Sequence, residues 1–216
     1  MRVAVAQPSP GIAAHVRAVR EADARLVVFP ELSLTGYELD APEVALDSLG
    51  ALVDACAAAG CVALAGAPVD GSIATLRVSG DGVTVAYRKC FLGEAEAVRF
   101  APGPGPVVLD VDGWRVGVGI CKDTGVDAHV RATAALGVDL YVAGLVHGVD
   151  ERDELGVRAE RIARACGAYV AFASFAGPTG GGYAATAGHS AIYAPSGRVL
   201  AQAGDAAGSI VRAVLD

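Results

Sequence analysis

The sequence predicts an α/β fold in which two mixed sheets face each other with helices outside, and three observations carry that prediction. Short apolar runs alternate with stretches of helical period in each half of the chain. The third run of each half is followed by a hairpin signal. The hydrophobic content of 53%, with a mean hydropathy of +0.45, comes mostly from Ala and Val rather than Leu or Phe. Small apolar side chains of this kind suit strands buried on both faces and packed against helices. At 216 residues the chain matches one large domain spanning 1–216 around one core.

Each element rests on period and punctuation. Residues 2–7 form an apolar run with the length of a buried strand. Ile12, Val16, Val19 and Ala22 then recur at helical spacing, and residues 26–29 form a second run that stops at Pro30-Glu31. A helix is predicted over 41–58 and a third strand over 61–67. Two β-rich runs, 73–78 and 83–88, flank Ser79-Gly80-Asp81-Gly82, which is a hairpin signal. Residues 91–106 carry Gly, Pro and charges without a clean period and read as a loop joining two halves. The second half repeats the plan with strands over 114–120, 140–143 and 169–174 and helices over 126–136 and 151–166. A hairpin follows, 190–194 and 199–203, turning through Pro195-Ser196-Gly197, and then a last run at 210–215.

Composition excludes several function classes. No stretch of about eighteen apolar residues runs without a charge, so no membrane span is expected. The opening MRVAVAQPSP meets Gln7 and Pro8 before a signal-peptide core could form, which leaves the cytoplasm as the expected location. Net charge is −7, and the 17 Lys and Arg form no basic run, so nucleic acid is not an expected partner. The five cysteines, at 56, 61, 90, 121 and 166, show neither CxxC spacing nor a nearby His cluster. Neither a disulfide framework nor a metal site is expected.

Three reactive residues fall at the C-terminal ends of predicted strands: Glu31 after Leu-Val-Val-Phe-Pro, Lys89 after Val-Ala-Tyr-Arg, and Cys121 after Val-Gly-Val-Gly-Ile. Open α/β sheets bind ligands at such ends. A thiol can attack an acyl carbon, a carboxylate can take the proton, and an ammonium can stabilise the oxyanion. Taken singly, each has a plainer explanation. A free Cys is most often buried core, Glu31 could serve a helix dipole, and Lys89 could be a solvated strand end. Asp123 reads as a cap for the next helix. His189 raises a Cys-His dyad as a rival chemistry, set against a structural role at the start of a strand. The glycines at 177–182 lack the Gly-Lys-Ser or Gly-Lys-Thr ending of a phosphate loop and read as a rim.

Together the blocks Phe29-Pro30-Glu31-Leu32 with Leu34-Thr35-Gly36-Tyr37, Tyr87-Arg88-Lys89, and Gly119-Ile120-Cys121-Lys122-Asp123 resemble the ordered Glu, Lys, Cys signature of the nitrilase (carbon-nitrogen hydrolase) superfamily. Phe100-Ala101-Pro102-Gly103, Gly188-His189-Ser190 and the turn at Pro195-Ser196-Gly197 extend the resemblance over nearly the whole chain. It implies a four-layer α-β-β-α sandwich, a homodimer or higher homo-oligomer, no metal and no organic cofactor. By the same resemblance Cys121 attacks a small linear amide or N-carbamoyl substrate, Glu31 acts as base, and a thioester forms. Lys89 and the backbone N–H of Lys122 hold the oxyanion. A second pocket glutamate is implied at Glu96, with Glu94 as the alternative. Two carboxylates near one ammonium would push their pKa values apart. Tyr37 is a candidate pocket residue, and Lys122 adds positive potential that would favour an acidic substrate. Lys122-Asp123 stands where nitrilases tend to show Trp-Glu, which puts nitrile hydrolysis behind amide hydrolysis. A non-catalytic relative that only binds ligand is the alternative from outside enzymology.

Overall fold

The computed structural model describes residues 1–216. The first half runs β1 (Arg2–Ala6), α1 (Ile12–Glu21), β2 (Leu26–Val28), α2 (Gly50–Ala59), β3 (Val62–Val69), β4 (Ser72–Ser79) and β5 (Gly82–Arg88). The second runs β6 (Val108–Val111), β7 (Trp114–Ile120), α3 (Asp127–Ala135), β8 (Leu140–Leu145), α4 (Arg152–Cys166) and β9 (Tyr169–Ser174). It continues with β10 (Ala176–Gly177), β11 (Thr186–Ala187), β12 (Ala191–Tyr193), β13 (Val199–Gln202) and β14 (Ile210–Val214). One six-stranded sheet has the order β14-β1-β2-β3-β4-β5, and the other β13-β12-β9-β8-β7-β6. β10 and β11 form a small ribbon of their own.

Period-2 alternation sorts the core into layers. Val3, Val5, Leu26, Val28, Val62 and Leu64 of the first sheet meet Val116, Val118, Leu140, Val142, Ala171 and Ile192 of the second, so the sheets pack face to face. Ala4, Ala6, Val27, Ala63 and Ala65 point the other way, onto Ala18, Val19, Leu52 and Ala55 of α1 and α2. Tyr141, Ala143, Leu145, Val170 and Phe172 likewise face Leu155, Ala159, Ile162 and Ala163 of α4. The result is the four-layer α-β-β-α sandwich. Ala on the helix-facing side of β1 and β3 lets the helices lie close to the sheet, which is where the Ala-rich composition is used. No helix is long and apolar enough to cross a membrane.

Several elements differ from expectation. The helix predicted over 41–58 begins only at Gly50, after a 3-10 turn at Leu46–Leu49. Pro42 disfavours helical backbone before it, and Glu43 is drawn outward to accept the N–H groups of Asp70 and Gly71 at 3.1 and 2.7 Å. β6 was not expected. It pairs with β7 through a two-residue Asp112-Gly113 turn whose φ values are 54° and 83°. The last strand, β14, leaves the second half and pairs antiparallel with β1, Arg2 opposite Val214.

Candidate active site

The site forms where the ends of three strands from both sheets converge. Glu31 follows β2 in a tight turn that the two sheets clamp between them. A Cβ on Gly66 of β3 would lie 2.3 Å from the Leu32 nitrogen, and one on Gly144 of β8 would lie 2.7 Å from the Glu31 nitrogen. Only glycine permits that approach. Leu32 carries a φ of 50° to complete the turn.

Lys89 follows β5 and is buried together with Glu31 and Glu96. Its Nζ donates to Glu31 Oε1 at 2.6 Å and to Glu96 Oε1 at 2.7 Å. Glu96 Oε1 also accepts the Tyr37 hydroxyl at 2.6 Å, and its Oε2 accepts the Gly93 N–H at 2.6 Å. Glu94 is exposed, so of the two alternatives Glu96 is the one that enters the cluster. A 3-10 turn at Glu96–Val98, inside the segment expected to be loop, directs it inward.

Cys121 opens the 3-10 turn Cys121–Gly125 directly after β7, with a φ of 41°. This left-handed backbone costs a non-glycine residue about 1–3 kcal/mol. The side chain is half-buried, and its charge acts on the buried Glu31 and Lys89. Its Sγ donates to the Val146 carbonyl at 3.3 Å. The N–H groups that begin such a turn have no partner within it, which leaves the Lys122 N–H free for a ligand oxygen.

The charges sort themselves. Burial pushes the Glu31 carboxyl well up, with the charges of Cys121 and Glu96 adding to it and only Lys89 opposing. Burial also acts upward on Glu96, but Lys89, Tyr37 and the Gly93 N–H outweigh it and hold that carboxyl below its usual range. Burial acts to lower Lys89, yet Glu31, Cys121 and Glu96 keep it above an ordinary lysine. Glu96 is thus the carboxylate whose surroundings favour the charged form. Glu31, whose Oε2 is buried without a hydrogen-bond partner, is the carboxylate with proton affinity to spare. Such an array can deprotonate a thiol and hold an oxyanion.

Other expectations are redirected. Asp123 does not cap α3; it turns back and accepts the Ile120 N–H at 3.0 Å, the Phe91 N–H at 2.9 Å and the Tyr87 hydroxyl at 2.8 Å. Tyr87 continues to His129 Nε2 at 2.8 Å. This buried network ties the loop after Lys89 to the turn that bears Cys121, and no motif around His129 marks it as a member. His189 lies outside β12 with a φ of 55°, its N–H bonded to Gly204. The Cys121 thiol goes to Val146 instead, so no Cys-His dyad forms. Lys122 is exposed, its Nζ donating to the Leu92 carbonyl at 2.7 Å. Val146 was also missed, although it follows a predicted strand as the other site residues do.

The carbon-nitrogen hydrolase family model matches residues 3–216. The chain belongs to the carbon-nitrogen hydrolase family. A Pseudomonas protegens relative described as a hydrolase in the pqqF 5′ region is 31% identical over 212 residues, covering 88% of this chain and 71% of the relative. Among solved structures, the NitN amidase of Nesterenkonia sp. AN1 is 25% identical with a TM-score of 0.85, covering all of this chain and 93% of that one. A cysteine-to-alanine variant of the same amidase, in complex with butyramide, superposes with a TM-score of 0.86 at 24% identity over 98% of this chain and 89% of that one. A glutamate-to-glutamine variant shows Michael addition of acrylamide at the active-site cysteine; it is 24% identical with a TM-score of 0.85, covering all of this chain and 93% of that one. This carbon-nitrogen hydrolase thus shares the fold of enzymes with an active-site cysteine.

Proposed function

We propose that this carbon-nitrogen hydrolase cleaves small linear amides or N-carbamoyl compounds through a Cys121 thioester. The observation that carries the reading is the Lys89 ammonium held between Glu31 and Glu96, with the half-exposed Cys121 near enough for its charge to act on both Glu31 and Lys89. Glu31 takes the Cys121 proton as the sulfur adds to the carbonyl carbon. The resulting oxyanion is held by Lys89 Nζ and the Lys122 N–H, each such donor contributing on the order of a hundredfold in rate. Collapse breaks the carbon-nitrogen bond, and Glu31 hands its proton to the departing amine. Water, deprotonated by Glu31, then cleaves the thioester and returns the thiol. Butyramide and acrylamide in the Nesterenkonia structures support a small neutral amide as the substrate type.

The test is ammonia release from a panel of short amides and carbamoyl compounds by wild type and Cys121→Ala, with intact-mass spectrometry of Glu31→Gln. Turnover lost in Cys121→Ala, together with an acyl adduct on Glu31→Gln, is the expected result. Ligand binding without turnover or adduct in the wild type would instead assign the chain to the non-catalytic, ligand-binding class.

A further inference from the structure

The glycine-rich segment between β10 and β11 takes no part in the chemistry above, yet it is packed against the site. Thr179 Oγ1 accepts the Tyr37 N–H at 2.9 Å. The Tyr183 ring meets the Tyr37 ring edge-on, with centroids 5.7 Å apart and an interplanar angle of 78°. Gly181 lies so near that a Cβ there would come within 2.6 Å of the Tyr37 ring. Tyr37 in turn holds Glu96, and Glu96 holds Lys89. Tyr183 is thus two side chains removed from the ammonium proposed to hold the oxyanion. Burial, followed by the charge on Cys121, raises the pKa of its hydroxyl, with Glu31 and Glu96 contributing. Tyr183 also lines an open cleft of about 690 Å³ with the turn Gly148–Glu151. That turn begins two residues after Val146, whose carbonyl accepts the Cys121 thiol.

From this juxtaposition we infer that Tyr183 is a specificity-determining residue, its ring forming with Tyr37 a wall that limits the bulk of the substrate group seated beside the scissile carbonyl. The inference rests on the amide-hydrolase reading for its substrate class. Its test is independent of turnover, because on this inference an electrophile bound for Cys121 meets the same wall as an amide does. Edge-on aromatic packing fixes the ring without a hydrogen bond to its hydroxyl, so bulk rather than polarity is the property that matters.

The experiment compares wild type with Tyr183→Ala, Tyr183→Trp and Tyr183→Phe. The first readout is kcat/KM for acetamide, butyramide and benzamide. The second is the rate at which Cys121 is alkylated by 2-chloroacetamide and by its bulkier 2-phenyl analogue, followed by peptide mass. In alkylation the sulfur displaces chloride and its proton goes to Glu31 or solvent, so no hydrolysis is needed. Removing the wall should raise the bulky-to-small ratio about tenfold, the scale of one or two methylene-sized contacts in a pocket. Tyr183→Trp should lower the ratio, and Tyr183→Phe should leave it within twofold. Ratios unmoved in both Tyr183→Ala and Tyr183→Trp overturn the inference, as does a shift in Tyr183→Phe equal to that in Tyr183→Ala. If the wild type hydrolyses none of the amides, the functional reading fails, and the alkylation ratios still decide the role of Tyr183.

Discussion

Replacing Glu96 by Gln removes one charge at constant size, and the surroundings make the outcome specific. Glu96 Oε1 accepts Lys89 Nζ and the Tyr37 hydroxyl, while Oε2 accepts the Gly93 N–H. A glutamine can serve only one side. With its oxygen toward Lys89, its NH2 meets the Gly93 N–H; turned over, it meets the ammonium. One buried donor is left unpaired, at about 1–3 kcal/mol, which for a domain of this size lowers Tm by roughly 3–10 °C. The electrostatic consequence runs through Glu31. Both carboxylates bond the same Nζ, so their oxygens stand roughly 5 Å apart, and two like charges at that separation repel by about 3 kcal/mol at an effective dielectric of about 20. Glu96 is one of the charges that raise the Glu31 carboxyl, so taking its charge away moves Glu31 downward. A base must be ionised to work, so the acid limb of kcat/KM moves to lower pH. The assay is the pH profile of ammonia release by wild type and Glu96→Gln, with Tm measured alongside. A limb that stays in place, or moves up, while only Tm falls would refute the electrostatic coupling and reduce Glu96 to a brace for its loop.

Further outcomes follow from single observations. Burial pushes His15 from 6.5 down to about 4, while its Nδ1 bonds the Gly11 carbonyl and its Nε2 the Ser33 hydroxyl. The unfolded chain therefore takes up the proton first as pH falls. His15's contribution is whole above pH 6.5 and lost between 6.5 and 4, about 3 kcal/mol in all, and urea midpoints of wild type and His15→Gln should converge across that window. Gly144→Ala forces a Cβ against the Glu31 turn and should cost about 1–3 kcal/mol and more than tenfold in kcat/KM. Gly156→Ala in α4, where a Cβ meets nothing within 4 Å, should be neutral or stabilising by about 0.5–1 kcal/mol; equal kinetic loss in both would contradict the clamp. Lys122→Ala should change the preference for anionic over neutral amides by less than about threefold, because an exposed charge is screened. A tenfold loss confined to anionic amides would show Lys122 to be a substrate contact.

Strands were legible wherever burial on both faces wrote a continuous apolar run, as in β1 and β9, and the β4-β5 and β12-β13 hairpins announced themselves through their turns, whereas the longer β3-β4 pairing across Asp70-Gly71 did not. Of the three candidate site residues named first, Glu31 and Cys121 end such runs, whereas Lys89 ends the half-buried β5 and was legible through the hairpin before it. What escaped had weaker local marks. β6 is only four residues long, although its Asp112-Gly113 turn was a usable signal. β14 could be seen as a run but not assigned to the opposite sheet, since register between distant segments leaves no local trace. His129 lies on α3 and Tyr183 in a glycine-rich segment; neither has a neighbour in sequence that betrays its contact with the site. Asp123 was misread because a carboxylate two residues into a turn can cap forward or backward, and the Tyr87 hydroxyl and Phe91 N–H that decide the matter come from elsewhere in the chain.

The placement of the site on both sheets follows from its cost. A buried ammonium with two carboxylates survives only if every partner is fixed, because removing one leaves an unpaired charge worth about 3–5 kcal/mol. Glu31 and Lys89 come from ends of the first sheet and Cys121 from the second, so no single element can relax the cluster without sliding one sheet over the other. The glycines at 66 and 144 transmit that rigidity, one from each sheet, to the same three-residue turn. The strained Cys121 backbone is held from the same direction, by the Asp123 carboxylate on the Ile120 N–H. Loosening the apolar contact between the sheets should therefore impair Cys121 reactivity before it unfolds the chain, since the charges tolerate less displacement than the hydrophobic layer that aligns them.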